Sequence, residues 1–152
     1  MLCGKIASGK STLARRLAEG CGTVLLSEDH LLSALYPGEI TTIDDYVRCA
    51  TRLRKAIGPL IVDLLRHDVS VVLDFQANTP ATRSWMRALF EAAGADHCLH
   101  VLSASDDVCL ERLRLRNAEG GHQYQVSDED FATFTARFVP PSPNEGFNLV
   151  ET

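Results

Sequence analysis

The eight residues Gly4-Lys5-Ile6-Ala7-Ser8-Gly9-Lys10-Ser11 constrain this chain most: two glycines separated by four residues, then at once a lysine and a hydroxyl residue. Glycine at these places lets the backbone wind tightly enough that its N–H groups converge on the oxygens of a phosphate. A helix predicted to begin at Lys10 points its positive end at the same anion. In this pattern the lysine reaches the transferable phosphate and the Ser11 hydroxyl reaches a magnesium ion. From average residue usage, a chance match in such a chain arises on the order of 1% of the time or less. The plain alternative is a glycine-rich turn that caps an ordinary helix. The stretch Gly4, Lys5, Ile6, Ala7, Ser8, Gly9, Lys10 and Ser11, together with Thr12, is therefore the predicted nucleotide-phosphate site. A loop of this kind follows a buried strand, yet only Met1, Leu2 and Cys3 precede it. The first strand is expected to be truncated, or the natural start to lie upstream.

Apolar periodicity continues the pattern. Lys10 to Glu19 reads as a helix stopped by Gly20 and Gly22, and Thr23 to Ser27 as a short buried strand. Asp29 to Leu35 is helical until Pro37-Gly38. Thr42 and Asp45 then form a capping box ahead of a long helix with Ile43, Val47, Ala50, Leu53, Ile57, Leu60 and Leu64 on its apolar face. Gly58-Pro59 is expected to kink or split that helix. Val69 to Leu73 is the clearest strand. Thr79-Pro80 opens a helix whose core face carries Trp85, Met86, Leu89 and Phe90, and Gly94 closes it. A strand over His97 to Leu102, a helix from Ser105 to about Asn117, a helix from Ser127 and a last strand over Phe147 to Val150 complete the chain. Strand–helix alternation of this kind predicts an α/β fold, a three-layer sandwich around a mostly parallel five-stranded sheet. Residues 1–152 read as a single domain, with a small polar lid over 118–130.

Composition narrows the function classes. A net charge of -5 argues against non-specific binding of nucleic acid or of a membrane surface. Five scattered cysteines without C-x-x-C spacing fit a reducing cytoplasm better than a disulfide framework or zinc site. Three histidines, His67, His97 and His100, show no ligand spacing. Arg48, Arg52 and Lys55 form a basic stripe read as a solvated helix face.

Other features point to the kind of phosphate-loop protein. The chain has no N-K-x-D segment to read guanine and no L-S-G-G-Q-like signature. Asp74, at the end of the third predicted strand, is followed by Phe75 and not by the glutamate that polarises water in motor ATPases. Transfer to a bound acceptor fits better than fast hydrolysis. Ser27-Glu28-Asp29 after the second strand, Val71-Val72-Leu73-Asp74 with Asn78 and Arg83 beyond it, and Arg112-x-x-x-Arg116-Asn117 beside the polar stretch complete a pattern. In order and spacing it resembles the small P-loop kinases, the group that includes chloramphenicol phosphotransferase, zeta toxins and polynucleotide 5′-kinases.

The resemblance implies a P-loop NTPase fold, Mg-ATP as cofactor and a phosphoryl acceptor. The acceptor would be a small-molecule or nucleotide-type hydroxyl, with a nucleic-acid end less favoured, and no membrane partner. It makes Asp29 the candidate general base and substrate contact, with simple helix capping as the alternative. Asp74 would hold the water shell of magnesium or orient the acceptor, or else be an exposed strand-end acid. Asn78 and Arg83 would line the acceptor side, or be an ordinary loop amide and a solvated helix arginine. Arg112 and Arg116, four residues apart on one helix face, join Lys10 as catalytic candidates that stabilise the transferring phosphoryl group. A non-catalytic ATP-binding switch and a slow ATPase are the remaining readings.

Overall fold

The computed structural model describes residues 1–120 and 125–152. The strands are β1 (Leu2–Cys3), β2 (Thr23–Ser27), β3 (Ser70–Asp74), β4 (Leu99–Val101) and β5 (Leu149–Glu151). Helices α1 (Lys10–Leu17), α2 (Glu28–Leu35), α3 (Ile43–Arg66), α4 (Pro80–Ala93), α5 (Asp106–Glu119) and α6 (Asp128–Ala136) alternate with them. β2 pairs parallel with β3, and β1, β4 and β5 pair parallel in the order β1-β4-β5. A single bridge between Leu2 and Gln76 joins the two groups, which gives the strand order β2-β3-β1-β4-β5. The chain leaves β1 toward one edge of this sheet and leaves β3 toward the other. The carboxyl ends of β1 and β3 therefore flank a topological switch point, where open α/β sheets place their ligands.

Period-two alternation sorts side chains to the two faces. Cys3, Leu26 and Leu73 pack with Leu32, Leu53, Ile61, Met86 and Leu89 on the side of α2, α3 and α4. Their neighbours Leu2, Leu25 and Val72 pack with Leu13, Ala14 and Leu17 of α1 on the other. Cys109, Leu113 and Phe131 form a third cluster that seats α5 and α6 against Ile6 and Ala7 at the tip of the glycine-rich loop. The two-residue strand β1 thus lies at the centre of the sheet, and both residues are fully buried.

Side-chain caps occur where sequence placed them: Thr42 with Asp45, Thr79 with Thr82, Ser105 with Val108 and Ser127 with Asp130. Two expectations are corrected. Gly58-Pro59 does not split the long helix, because α3 runs unbroken over 24 residues with Pro59 inside it. Pro59 and Lys55, whose carbonyl loses its intrahelical partner, both lie on the exposed face, where water can replace the bond. The apolar stripe of α3 is also rotated from the predicted one. Cys49, Ala50, Leu53 and Ile61 are buried, whereas Val47 and Leu60 are more than half exposed. Among the described residues, no helix is long and apolar enough to cross a membrane.

Candidate active site

The loop from Gly4 to Ser11 leaves β1 at the switch point. Ala7 (φ 59°) and Gly9 (φ 104°) take left-handed backbone conformations, the arrangement that turns successive amides toward one anion. Gly4 is required by close approach: a Cβ there would stand 2.7 Å from Ser8 Oγ and 3.0 Å from the Leu102 carbonyl oxygen. Lys10 folds back over the loop and donates to the carbonyls of Gly4 and Lys5, both at 2.7 Å. Burial lowers its pKa, and the carboxylates of Asp74 and Asp29 oppose that shift. The lysine therefore lies within electrostatic reach of both acids. Ser8 Oγ is buried without a partner among the described residues, and the Ser11 hydroxyl is exposed.

These groups line one cavity of about 890 Å³. The loop residues Ile6 to Thr12 form one wall and Asp29 and Asp74 another, and Arg112 and Arg116 of α5 reach in from the side. Asp29 lies in the first turn of α2. Its helix is capped by Ser27, whose side chain accepts from the His30 amide, so capping is not the task of Asp29. Arg112 makes a long contact of 3.5 Å to the Ser8 carbonyl. Arg116 has its Nε buried without a partner among the described residues. Burial lowers its pKa and the Asp29 carboxylate, which lines the same cavity, opposes the shift. A half-buried cation short of hydrogen-bond acceptors is a place for an anionic ligand.

Two predicted acceptor residues lie outside this cavity. Arg83 is fully buried rather than solvated or facing a ligand. It donates to Glu145 at 2.6 and 2.8 Å and to the carbonyls of Ala77 (3.0 Å) and Val139 (2.8 Å). It therefore pins the segment after α6 onto α4. Asn78 Oδ1 accepts from the Gly4 amide at 3.0 Å, so this side chain braces the start of the phosphate loop from outside the large cavity. The predicted lid is seen only in part, since residues 121–124 lie outside the described residues.

The family resemblance singled out Asp29 of this turn, and the structure gives its neighbour Glu28 a distinct place. Its carboxylate, 1% exposed, accepts from Arg54 at 2.7 and 2.8 Å, from the Tyr46 hydroxyl at 3.0 Å and from the Gln76 amide at 3.5 Å. It ties α2, α3 and the end of β3 together directly beside Asp29. No local signal distinguishes it, because its partners lie 18, 26 and 48 residues away.

Magnesium fits the donors present. Among the described residues no cluster of three His, Cys, Asp or Glu could hold a metal by itself. The Ser11 hydroxyl and the Asp74 carboxylate nonetheless line the same cavity as the phosphate loop. Magnesium is usually held by one or two such oxygen donors, with nucleotide phosphates and water completing its shell.

This fold and site define a nucleotide-binding protein of the P-loop kinase type. The chain belongs to the AAA domain family AAA_33, whose model matches residues 1–141. Among solved structures it is similar to a candidate kinase from Chloroflexus aurantiacus, with TM-score 0.75 and 24% identity over 99% of this chain and 83% of that one. It is also similar to Chaetomium thermophilum Kti12 in complex with ADP-AlF3 (0.73, 17%, covering 99% and 86%). A gluconokinase from Sinorhizobium meliloti follows (0.62, 22%, covering 99% and 80%). No curated protein matches the chain by sequence.

Proposed function

We propose that the chain is a magnesium- and ATP-dependent phosphotransferase that moves the γ-phosphate to a hydroxyl of a small-molecule acceptor. One observation carries the reading: a single cavity is lined by the phosphate loop, the Asp29 carboxylate and two arginines. A cavity near 890 Å³ has room for a nucleotide and a small second ligand. The gluconokinase among the structural neighbours is in keeping with a hydroxylated acceptor.

In this reading the loop amides and Lys10 would hold the β- and γ-phosphates, and Ser11 and Asp74 would hold the metal. Bound magnesium would neutralise charge on the phosphates. Asp29 takes the acceptor hydroxyl proton as that oxygen bonds to the γ-phosphorus. The bond from the γ-phosphorus to the bridging oxygen breaks, and ADP leaves with that electron pair. Arg112 and Arg116 stabilise charge on the phosphoryl oxygens in flight. Glu28, held by Arg54 and Tyr46, positions the Asp29 turn in this reading.

ATP with magnesium is expected to stabilise the protein by mass action, by about 2.7 kcal/mol at a hundredfold excess over Kd. Lys10→Ala should abolish most of the resulting rise in melting temperature. An equal rise in wild type and variant, measured by differential scanning fluorimetry, would remove the phosphate-loop assignment. A screen for ATP-dependent phosphorylation of hydroxylated metabolites tests the transfer itself.

A further inference from the structure

A second cavity of about 320 Å³ opens beside the first. The two share Ile6, Tyr46, Gln76 and Phe134, so the cavities adjoin at these side chains. Tyr46 and Phe134 meet edge to face at 6.4 Å, α3 against α6. Beneath them runs the chain beyond β3. Phe75 and Ala77 are buried in the core, while Asp74, Gln76 and Asn78 lie on the cavity side. Asp74 lines the first cavity, Gln76 both and Asn78 the second. One row of polar groups thus runs from the metal-side carboxylate into the second chamber.

The charge of that chamber is one-sided. Lys5, Arg54 and Arg137 line it, and among the described residues no acidic side chain does, although the whole chain carries -5. Lys5 pairs with Asp106 and Arg54 with Glu28. Arg137, exposed at the end of α6, has no carboxylate partner among the described residues. A cationic rim over a mixed lining, with Gln76, Asn78 and Thr51 among apolar side chains such as Ala50 and Phe138, suits a molecule with a negative group at one end and hydroxyls along its length. We infer that the second cavity is a binding site for the anionic end, phosphate or carboxylate, of an elongated polyhydroxylated acceptor. The reactive hydroxyl of that acceptor lies beyond the Tyr46–Phe134 contact, toward Asp29. This rests on the phosphotransferase reading for the role of the ligand, but not for its binding.

The test uses the full chain saturated with magnesium and a non-hydrolysable ATP analogue, so that the phosphate loop is filled. Ribose 5-phosphate, glucose 6-phosphate and glucuronate are titrated against their neutral parent sugars. Trp85, the single tryptophan, reports binding, because the Arg54 guanidinium stands 5.9 Å from its ring and also lines the chamber. At least one anionic sugar should bind about tenfold or more tightly than its parent. Arg137→Glu should remove that margin, the order expected for reversing one partly screened charge contact, with affinity for the ATP analogue unchanged. The phosphate and carboxylate members of the panel show which anion is preferred. No preference for anionic sugars in the panel, or a preference that survives Arg137→Glu, overturns the site. So does displacement of the sugar by the ATP analogue, which would place the anion in the phosphate loop. Arg137-dependent binding without transfer to any acceptor keeps the site and removes the kinase reading. Asp29-dependent transfer that ignores acceptor charge does the reverse.

Discussion

Asp29→Asn is expected to leave ATP affinity nearly unchanged and to cut phosphoryl transfer by roughly two to four orders of magnitude, the usual contribution of a positioned base. The substitution keeps size and hydrogen-bonding capacity and removes only the ability to take a proton. Nucleotide contacts come from the loop amides, Lys10 and Ser11, which it does not touch. The measurement is single-turnover transfer to an acceptor found by screening, alongside a direct titration of nucleotide binding. Full transfer in the variant would move proton acceptance to Asp74 or to solvent. The pairing of intact binding with lost transfer also separates a kinase from a non-catalytic switch, which needs Lys10 and Ser11 but no base.

Glu28→Ala should unfold the protein more readily by about 3–5 kcal/mol, the cost of removing one partner of a buried ion pair. Arg54 would keep a largely buried charge with no carboxylate, and the Tyr46 hydroxyl would lose its acceptor. At this chain length the melting temperature should fall on the order of 10 °C. Glu28→Gln, which retains an acceptor oxygen, should cost much less. Urea unfolding of wild type and both variants checks this, and equal stabilities for all three would show that the pair contributes nothing. The pH dependence has a definite sign. Burial raises the Glu28 pKa above its ordinary 4.5, with Arg54 only partly opposing. The folded state therefore holds this proton more tightly than the unfolded chain. The stability from this linkage is complete below pH 4.5 and is lost as pH rises through the folded-state value. The Gln variant should lack that slope.

Both effects come from one turn of chain, Ser27-Glu28-Asp29, and its two acids illustrate how much could be read in advance. The resemblance to small P-loop kinases marks this turn and makes Asp29 its candidate base. It has no means of showing that Glu28 is buried under Arg54 and Tyr46 while Asp29 faces the cavity. The two are adjacent, and a helix start sends neighbours in different directions.

The glycine spacing of the loop, the caps at Thr42, Thr79, Ser105 and Ser127, and the strand–helix alternation were legible from sequence alone. Each depends on backbone geometry within a few residues, and that geometry is encoded locally. The structure brings the candidates Lys10, Ser11, Asp29, Asp74, Arg112 and Arg116, four of them named through the family resemblance, to one cavity at the switch point. Tertiary structure alone decided the rest. Arg83 looks like a surface helix arginine until Glu145, 62 residues on, closes over it. Asn78 looks like a loop amide until Gly4, 74 residues back, donates to it. The buried stripe of α3 turns away from Val47 and Leu60 because α4 and the sheet select the face, and a second cavity exists only where α3 and α6 meet at Tyr46 and Phe134. Burial and pairing are properties of contacts between distant parts of the chain, and those contacts exist only once the sheet has brought its elements together.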